Sequence, residues 1–260
     1  MTTRPTLRLE IDGRTAHLLI DRAKKRNAFD MAMWQALPAL LDEAEAAEGV
    51  RLLILRAAEG GPFCAGADIK ELLANKDDSD WRAANQAAIN RVQHRLARAD
   101  LPTIAFVEGD CVGGGCGLAL ACDLRFAAPD ARFGITPAKL GLAYSLEDTK
   151  RLVDAVGPGA AKDILFSGRI VEAEEAAAMG LVDRMEDDPL AAARAYAETL
   201  AANAPGTLRT VKDFVRRIRN GQARDDAETR AAVLGALSSA DFREGYDAFL
   251  AKRRPDFSGS

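Results

Sequence analysis

Hydrophobic and polar positions along the chain follow two rhythms. Leu7–Ile11 and Thr15–Ile20 alternate or run apolar on either side of Asp12-Gly13, which predicts a β-hairpin. Met31–Glu48 carries Met33, Leu37, Leu40, Leu41 and Ala44 at helical spacing, with Asp30 in the N-cap position and Gly49 just past the end. Val50–Leu55 reads as a buried strand, and the glycine-bearing loop Glu59–Lys70 (EGGPFCAGADIK) follows it, with Asp68 placed to open a short helix. After a polar break at Lys76–Asp80, Trp81–Ala99 reads as a helix and Pro102–Val107 as a strand. Leu124–Ala127 is another short strand, and Arg132–Asp148 is loop-like around Pro137 and Gly141. Thr149–Val156, Gly159–Phe166 and Ala173–Met179 suggest short helices, and Leu181–Met185 a last strand. From Pro189 onward the pattern is helical, with a break at Asn203–Gly206. Strands alternating with helices argue for an α/β fold. The change in composition near Pro189 divides residues 1–188 from a helical layer, residues 189–260.

The chain is organised around Glu108–Asp123 (EGDCVGGGCGLALACD), read as a glycine turn and buried helix fed by the strand Pro102–Val107. Glycine tolerates positive φ and lets another backbone or a ligand approach closely. The first turn of a helix carries N–H groups without internal partners, at the positive end of the helix dipole. Gly113–Gly115 therefore either presents donors to an anion or a developing oxyanion, or is a tight turn that lets a helix pack on a sheet. The stretch lacks the G-x-G-x-x-G spacing and the Walker lysine, which argues against nucleotide-phosphate binding.

Composition narrows the classes. A chain of 260 residues, 48% hydrophobic and 28% charged, buries a large core. Its net charge of −4, without long basic runs, gives no reason to expect nucleic-acid binding. Met1–Glu10 has no apolar core, so no secretory leader is expected, and no apolar stretch is long enough to span a bilayer. The cysteines, Cys64, Cys111, Cys116 and Cys122, form no C-x-x-C pair, and the histidines are His17 and His94. This argues against a zinc site and against Ser-His or Cys-His catalysis, and favours reduced buried cysteines in a cytoplasmic protein.

Four segments together resemble the enoyl-CoA hydratase/isomerase family, the crotonase superfamily: Asp21–Asp30 (DRAKKRNAFD), Pro62–Leu72 (PFCAGADIKEL), Glu108–Ala127 and Phe242–Phe257 (FREGYDAFLAKRRPDF). Their order and spacing cover essentially the whole chain. The resemblance implies a crotonase-like spiral of ββα turns with a C-terminal helical region that makes homotrimers or dimers of trimers. It implies an acyl-CoA substrate, with coenzyme A as part of that substrate, no permanently bound cofactor and no metal. The shared chemistry is stabilisation of a thioester enolate by two backbone N–H groups, which correspond here to Ala67 and Gly114. Such preorganised donors stabilise an oxygen that gains charge in the transition state.

The same resemblance assigns the coenzyme contacts. Lys24 and Arg26 fall in the phosphate-contacting loop; the alternative is a solvated turn. Ala65, Asp68 and Ile69 fall where backbone groups meet the adenine. Phe249 and Lys252 match a C-terminal pair that reaches the coenzyme, often from a neighbouring subunit; for Phe249 the alternative is helix packing.

One departure stands out. Family hydratases hold and activate water with two glutamates, and the corresponding positions here are Gly117 and Pro137, neither of which transfers a proton. In the loop after Leu142 (AYSLEDTKRL), Tyr144, Ser145, Glu147 and Asp148 replace a stretch that is usually glycine-rich. Some isomerases place a single carboxylate there, which makes Glu147 the first candidate base and Asp148 the second. Both also suit a helix N-terminus, where acids are favoured by the dipole. Tyr144 resembles a tyrosine of a decarboxylase branch, although that branch carries histidine where this chain has Ala67. The expectations are therefore an enolate-forming enzyme that bears the family's hydratase name, an isomerase or decarboxylase using the 144–148 loop, or an acyl-CoA-binding subunit without chemistry.

Overall fold

A computed structural model describes residues 5–257, so the first residues of the N-terminal segment considered above lie outside the described residues. The chain opens with β1 (Leu7–Asp12) and β2 (Thr15–Ile20), the expected hairpin around Gly13, whose φ is +57°. Helix α1 (Met31–Ala46) follows, and the Asp30 carboxylate caps it by accepting from Met33 N at 3.0 Å. Next come β3 (Leu52–Ala57), α2 (Ile69–Ala74), α3 (Ser79–Ala97) and β4 (Thr103–Val107). Helix α3 starts within the expected polar break, because Asp78 caps it through Trp81 N at 2.9 Å.

The sequence reading passes directly from strand to glycine turn, but the structure inserts β5 (Asp110–Val112) before α4 (Gly114–Ala121). The stretch read as loop after β6 (Leu124–Ala127) contains β7 (Arg132–Gly134) and a short 3₁₀ turn at Pro137–Leu140. The two short helices expected next are the two arms of α5 (Leu146–Ser167), separated at Gly157, whose φ of 77° and ψ of 165° are not helical. β8 (Ile170–Glu172), also unanticipated, precedes α6 (Ala173–Ala178), and the last strand shrinks to β9 (Arg184–Met185). Helices α7 (Pro189–Ala201), α8 (Pro205–Arg219), α9 (Ala227–Ser238) and α10 (Ala240–Ala251) complete the chain.

The strands form a six-stranded sheet, β1-β2-β3-β4-β6-β9, parallel except for the β1–β2 hairpin, and a three-stranded sheet, β5-β7-β8. Two turns of the spiral, β4-β5-α4 and β6-β7-α5, each send one strand to the large sheet, one to the small sheet and a helix behind. A continuous apolar run suits a strand covered on both faces. In β3, Leu53 and Leu55 enter the main core, while Leu52 and Ile54 join a second cluster under Ala193, Ala197 and Leu200 of α7. The helical layer thus begins with a helix that closes the outer face of the sheet.

Candidate active site

The site is built where two loops pair edge to edge. Phe63 N–H donates to Glu108 O at 3.0 Å and Cys64 N–H to Asp110 O at 3.1 Å, while Val112 N–H donates back to Cys64 O at 2.8 Å. This ladder lays the loop after β3 along β5 and brings Gly66 against Gly113 and Gly114. A Cβ on Gly66 would lie 3.0 Å from Val112 O and 3.4 Å from Gly114 N, and the residue has φ +93°. A side chain there would be strained and would obstruct the neighbouring N–H. Gly115 fits more tightly still, because a Cβ there would collide with Cys64 O.

Gly113 N–H is taken by Gly134 O at 2.7 Å. Gly114 then opens α4 as its first residue, following Gly113 at φ 55°. Among the described residues, neither Ala67 N–H nor Gly114 N–H has a backbone acceptor, and both residues are partly exposed. Two unpaired donors therefore stand on adjacent loops at the positive end of a buried helix, an arrangement suited to an anion or oxyanion. The Trp34 ring packs beside Gly114, with Cζ2 3.4 Å from where its Cβ would be. Trp34 is buried, and its Nε1 lacks a partner among the described residues. Sequence reasoning did not single it out, because its helical spacing marked only a core face.

The 144–148 loop reaches the same turn from the other side. Tyr144 Oη lies 3.5 Å from Gly113 O, and burial, reinforced by the Asp148 charge, pushes its phenol well above the ordinary range. Asp148 is buried, and its Oδ1 lies 3.2 Å from where a Cβ on Gly117 would be. Ser145 Oγ donates to Asp148 Oδ2 at 2.7 Å. Burial pushes the Asp148 carboxyl above the usual range, against hydrogen bonds and the charge of Arg151 that pull it down. Glu147 points elsewhere: its side chain is 55% exposed and pairs with Arg151 at 3.6 Å. It lines a cavity of about 610 Å³ between α3, α5 and α8 that includes none of Ala67, Gly114, Tyr144 or Asp148. The structure thus brings Asp148, the second candidate, to Gly117, and leaves Glu147 apart. Pro137 starts the short 3₁₀ turn ahead of this loop.

Most of the residues assigned to the coenzyme meet on one side of the paired loops. Ala65 N–H donates to Arg26 O at 3.0 Å, Phe29 N–H to Gly66 O and Asp68 N–H to Phe29 O, both at 2.8 Å. Arg26 sits at φ 52° with its guanidinium on Asp110, while Lys24 and Ile69 are exposed. Asp68 also caps α2, accepting from Lys70 N at 3.0 Å, and pairs with Arg22 at 2.9 Å. Burial opposes its charge, but those bonds hold the carboxyl below its ordinary value. Phe249 and Lys252 are not brought to this group by any hydrogen bond or ion pair among the described residues; Phe249 is 80% exposed on α10, which packs on α9. The four cysteines are free and buried, and burial pushes the Cys64 and Cys122 thiols up to about 12, which leaves them poor nucleophiles. Among the described residues no cluster of metal-ligating side chains occurs, and no helix is long and apolar enough to cross a membrane.

Comparison with known proteins defines the class. The sequence profile of the Enoyl-CoA hydratase/isomerase family matches residues 10–260, and the chain belongs to that family. A Thermus thermophilus protein that carries an enoyl-CoA hydratase name is 38% identical over 250 residues, covering 94% of this chain and 98% of that protein. Mouse mitochondrial methylglutaconyl-CoA hydratase is 33% identical over 251 residues, covering 92% of this chain and 78% of that protein. A crystal structure of an enoyl-CoA hydratase/isomerase family protein from Hyphomonas neptunium superposes with a TM-score of 0.95 at 40% identity, covering 98% of each chain. The expected crotonase-like α/β fold with C-terminal helices is therefore the observed one, and the chain is an acyl-CoA enzyme of the hydratase/isomerase type.

Proposed function

We propose that this protein forms a thioester enolate from an acyl-CoA and relocates a proton on it with a single carboxylate, as an isomerase does. Ala67 and Gly114 N–H would receive the thioester oxygen. Asp148, in its charged form, would take a proton from the acyl chain as the electron pair moves onto that oxygen. The proton would return at another carbon as the carbonyl re-forms. Tyr144, beside Gly113 O, would orient the acyl group. One observation carries the reading: two N–H groups without acceptors on adjacent loops, with the Asp148 carboxyl at Gly117, about 4.5 Å further along α4. Family hydration uses two carboxylates, and Gly117 and Pro137 supply neither. The hydratase names of the relatives support a second reading, in which Asp148 alone activates water. Decarboxylation beside Tyr144 and acyl-CoA binding without turnover are the remaining alternatives.

Lys24, Arg26, Ala65, Asp68 and Ile69 would bind the coenzyme, with Phe249 and Lys252 reaching it from a neighbouring copy. Support for a homotrimer or dimer of trimers comes from apolar side chains left exposed on α8–α10, among them Ile218, Leu234, Phe249 and Leu250. Residues 1–188 would then carry the site and residues 189–260 the assembly surface, in a cytoplasmic protein.

The test compares a 3-enoyl-CoA with crotonyl-CoA, following gain or loss of the conjugated thioester absorbance. Isomerisation without hydration is expected, and Ala67→Pro, which removes one donor, should lower turnover by about 10²–10³-fold with CoA binding retained. Hydration of crotonyl-CoA would favour the second reading. Full turnover by Ala67→Pro would remove Ala67 from the oxyanion site.

A further inference from the structure

The space at Gly117 is filled by a residue that the sequence did not mark. Gln93, on α3, is 1% exposed, and a Cβ on Gly117 would collide with its Nε2. The amide is fixed at both ends. Its Oε1 accepts from Arg151 at 3.0 Å, which leaves its Nε2 on the Gly117 side, where Asp148 Oδ1 also lies. Arg151 also donates to Asp148 Oδ1 at 3.4 Å. Gln93, Asp148 and Arg151 thus close a ring over Gly117, with Ser145 holding the other carboxylate oxygen. Three helices contribute: Gln93 from α3, Asp148 and Arg151 from α5, and the glycine from α4.

From this juxtaposition we propose that Gln93 is a positioning residue, which occupies the place of a side chain at 117 and holds the Asp148 carboxylate there in its stead. Glycine at 117 is then a requirement of the arrangement. Any side chain at that position displaces the amide, and the amide excludes the glutamate that family hydratases use. The proposal rests on the proton-transfer role given to Asp148, but its packing half stands independently of that role.

The charged and titratable groups around Asp148 are few. Arg151 and Glu147 lie on its own helix, and Tyr144 on the loop before it. From α3, His94 faces Glu147 and Arg151 beyond Gln93. From α4, Cys116 lies beside Tyr144. The Gln93 amide beside Gly117 favours the charged form of Asp148, so its loss raises the pH at which that carboxyl ionises.

Two experiments on the full chain test this. In the first, Gln93→Met keeps the volume and removes both the acceptor for Arg151 and the amide that faces Asp148. The acid limb of the pH–kcat profile should move up by about one pH unit, with KM nearly unchanged. In the second, Gly117→Glu should lower the melting temperature sharply, and adding Gln93→Ala should restore most of the loss by vacating the space. Glu174→Gln, at an exposed carboxylate on α6, serves as a control and should leave the limb in place. An unmoved limb in Gln93→Met, when Asp148→Asn is inactive, overturns the positioning role. A Gly117→Glu protein as stable as the parent overturns the packing claim. If Asp148→Asn turns over normally, the proton-transfer reading fails instead, and the melting data still decide whether Gln93 fills the site.

Discussion

Helix α4 and helices α9–α10 carry similar proportions of apolar side chains and spend them differently. Every residue of α4 from Gly115 to Ala121 is buried, and its turn is locked by contacts with the Cys64 loop. In α9, Thr229 is the buried residue, while Val233, Leu234 and Leu237 stand about half exposed or more. In α10, Phe242, Tyr246, Phe249 and Leu250 do the same at helical spacing. The first helix is finished within its own chain. The second pair presents an apolar stripe that amphipathic helices ordinarily bury. Apolar content is therefore a statement about burial somewhere, and topology decides whether that place is inside the protomer or between copies.

The comparison can be broken most severely at Gly115. Gly115→Ala places a methyl group into Cys64 O, backbone against backbone, and should cost roughly 3 kcal/mol or more through overpacking. A melting curve would reveal it, and an unshifted midpoint would mean that the paired loops yield easily. In the C-terminal helices the same logic predicts the opposite. Leu234→Glu, at a position 64% exposed, should leave the secondary structure of the chain intact while sedimentation moves toward single chains. Unchanged association would take α9 out of any interface.

The smallest effect sharpens the contrast beside α4, at Asp148 of α5. Burial raises the Asp148 carboxyl in the folded state, so the folded chain binds the proton more tightly than the unfolded one. Stability from this group is present below its unfolded value and falls as pH rises toward the folded value, after which it levels off. Asp148→Asn should flatten that part of the stability–pH curve. A slope that survives the substitution belongs to another carboxyl.

Local chemistry carried the legible parts of this fold. Asp12-Gly13 marks a hairpin, and Asp30 and Asp68 mark helix starts, because a turn or cap is written in a few adjacent residues. Strands β5, β7 and β8 were missed for the complementary reason. Each is three residues long, too short for a period of two to register, and each exists through pairing with distant chain. The break at Gly157 was readable, and the two helices expected on either side of it are the two arms of α5. At the site, the candidate backbone donors and the candidate coenzyme residues were proposed through family likeness, not through local pattern. The choice between Glu147 and Asp148 was not available from sequence, since adjacent residues on a helix differ by about 100° in direction and only the neighbour decides. Gln93 was invisible for the same reason: a polar residue in a helix looks solvated until a glycine opposite gives it somewhere to go.

The buried cysteines have a consequence in time. Cys64 and Cys111 face each other across the loop ladder, and Cys116 and Cys122 ride on and beside α4, so all four sulfurs sit within the region that assembles the site. With thiolates suppressed and solvent excluded, the native chain is silent to thiol reagents, and labelling proceeds only when that region opens. The thiols are thus a built-in clock for the turn: labelling that outpaces global unfolding measures how often the site itself comes apart.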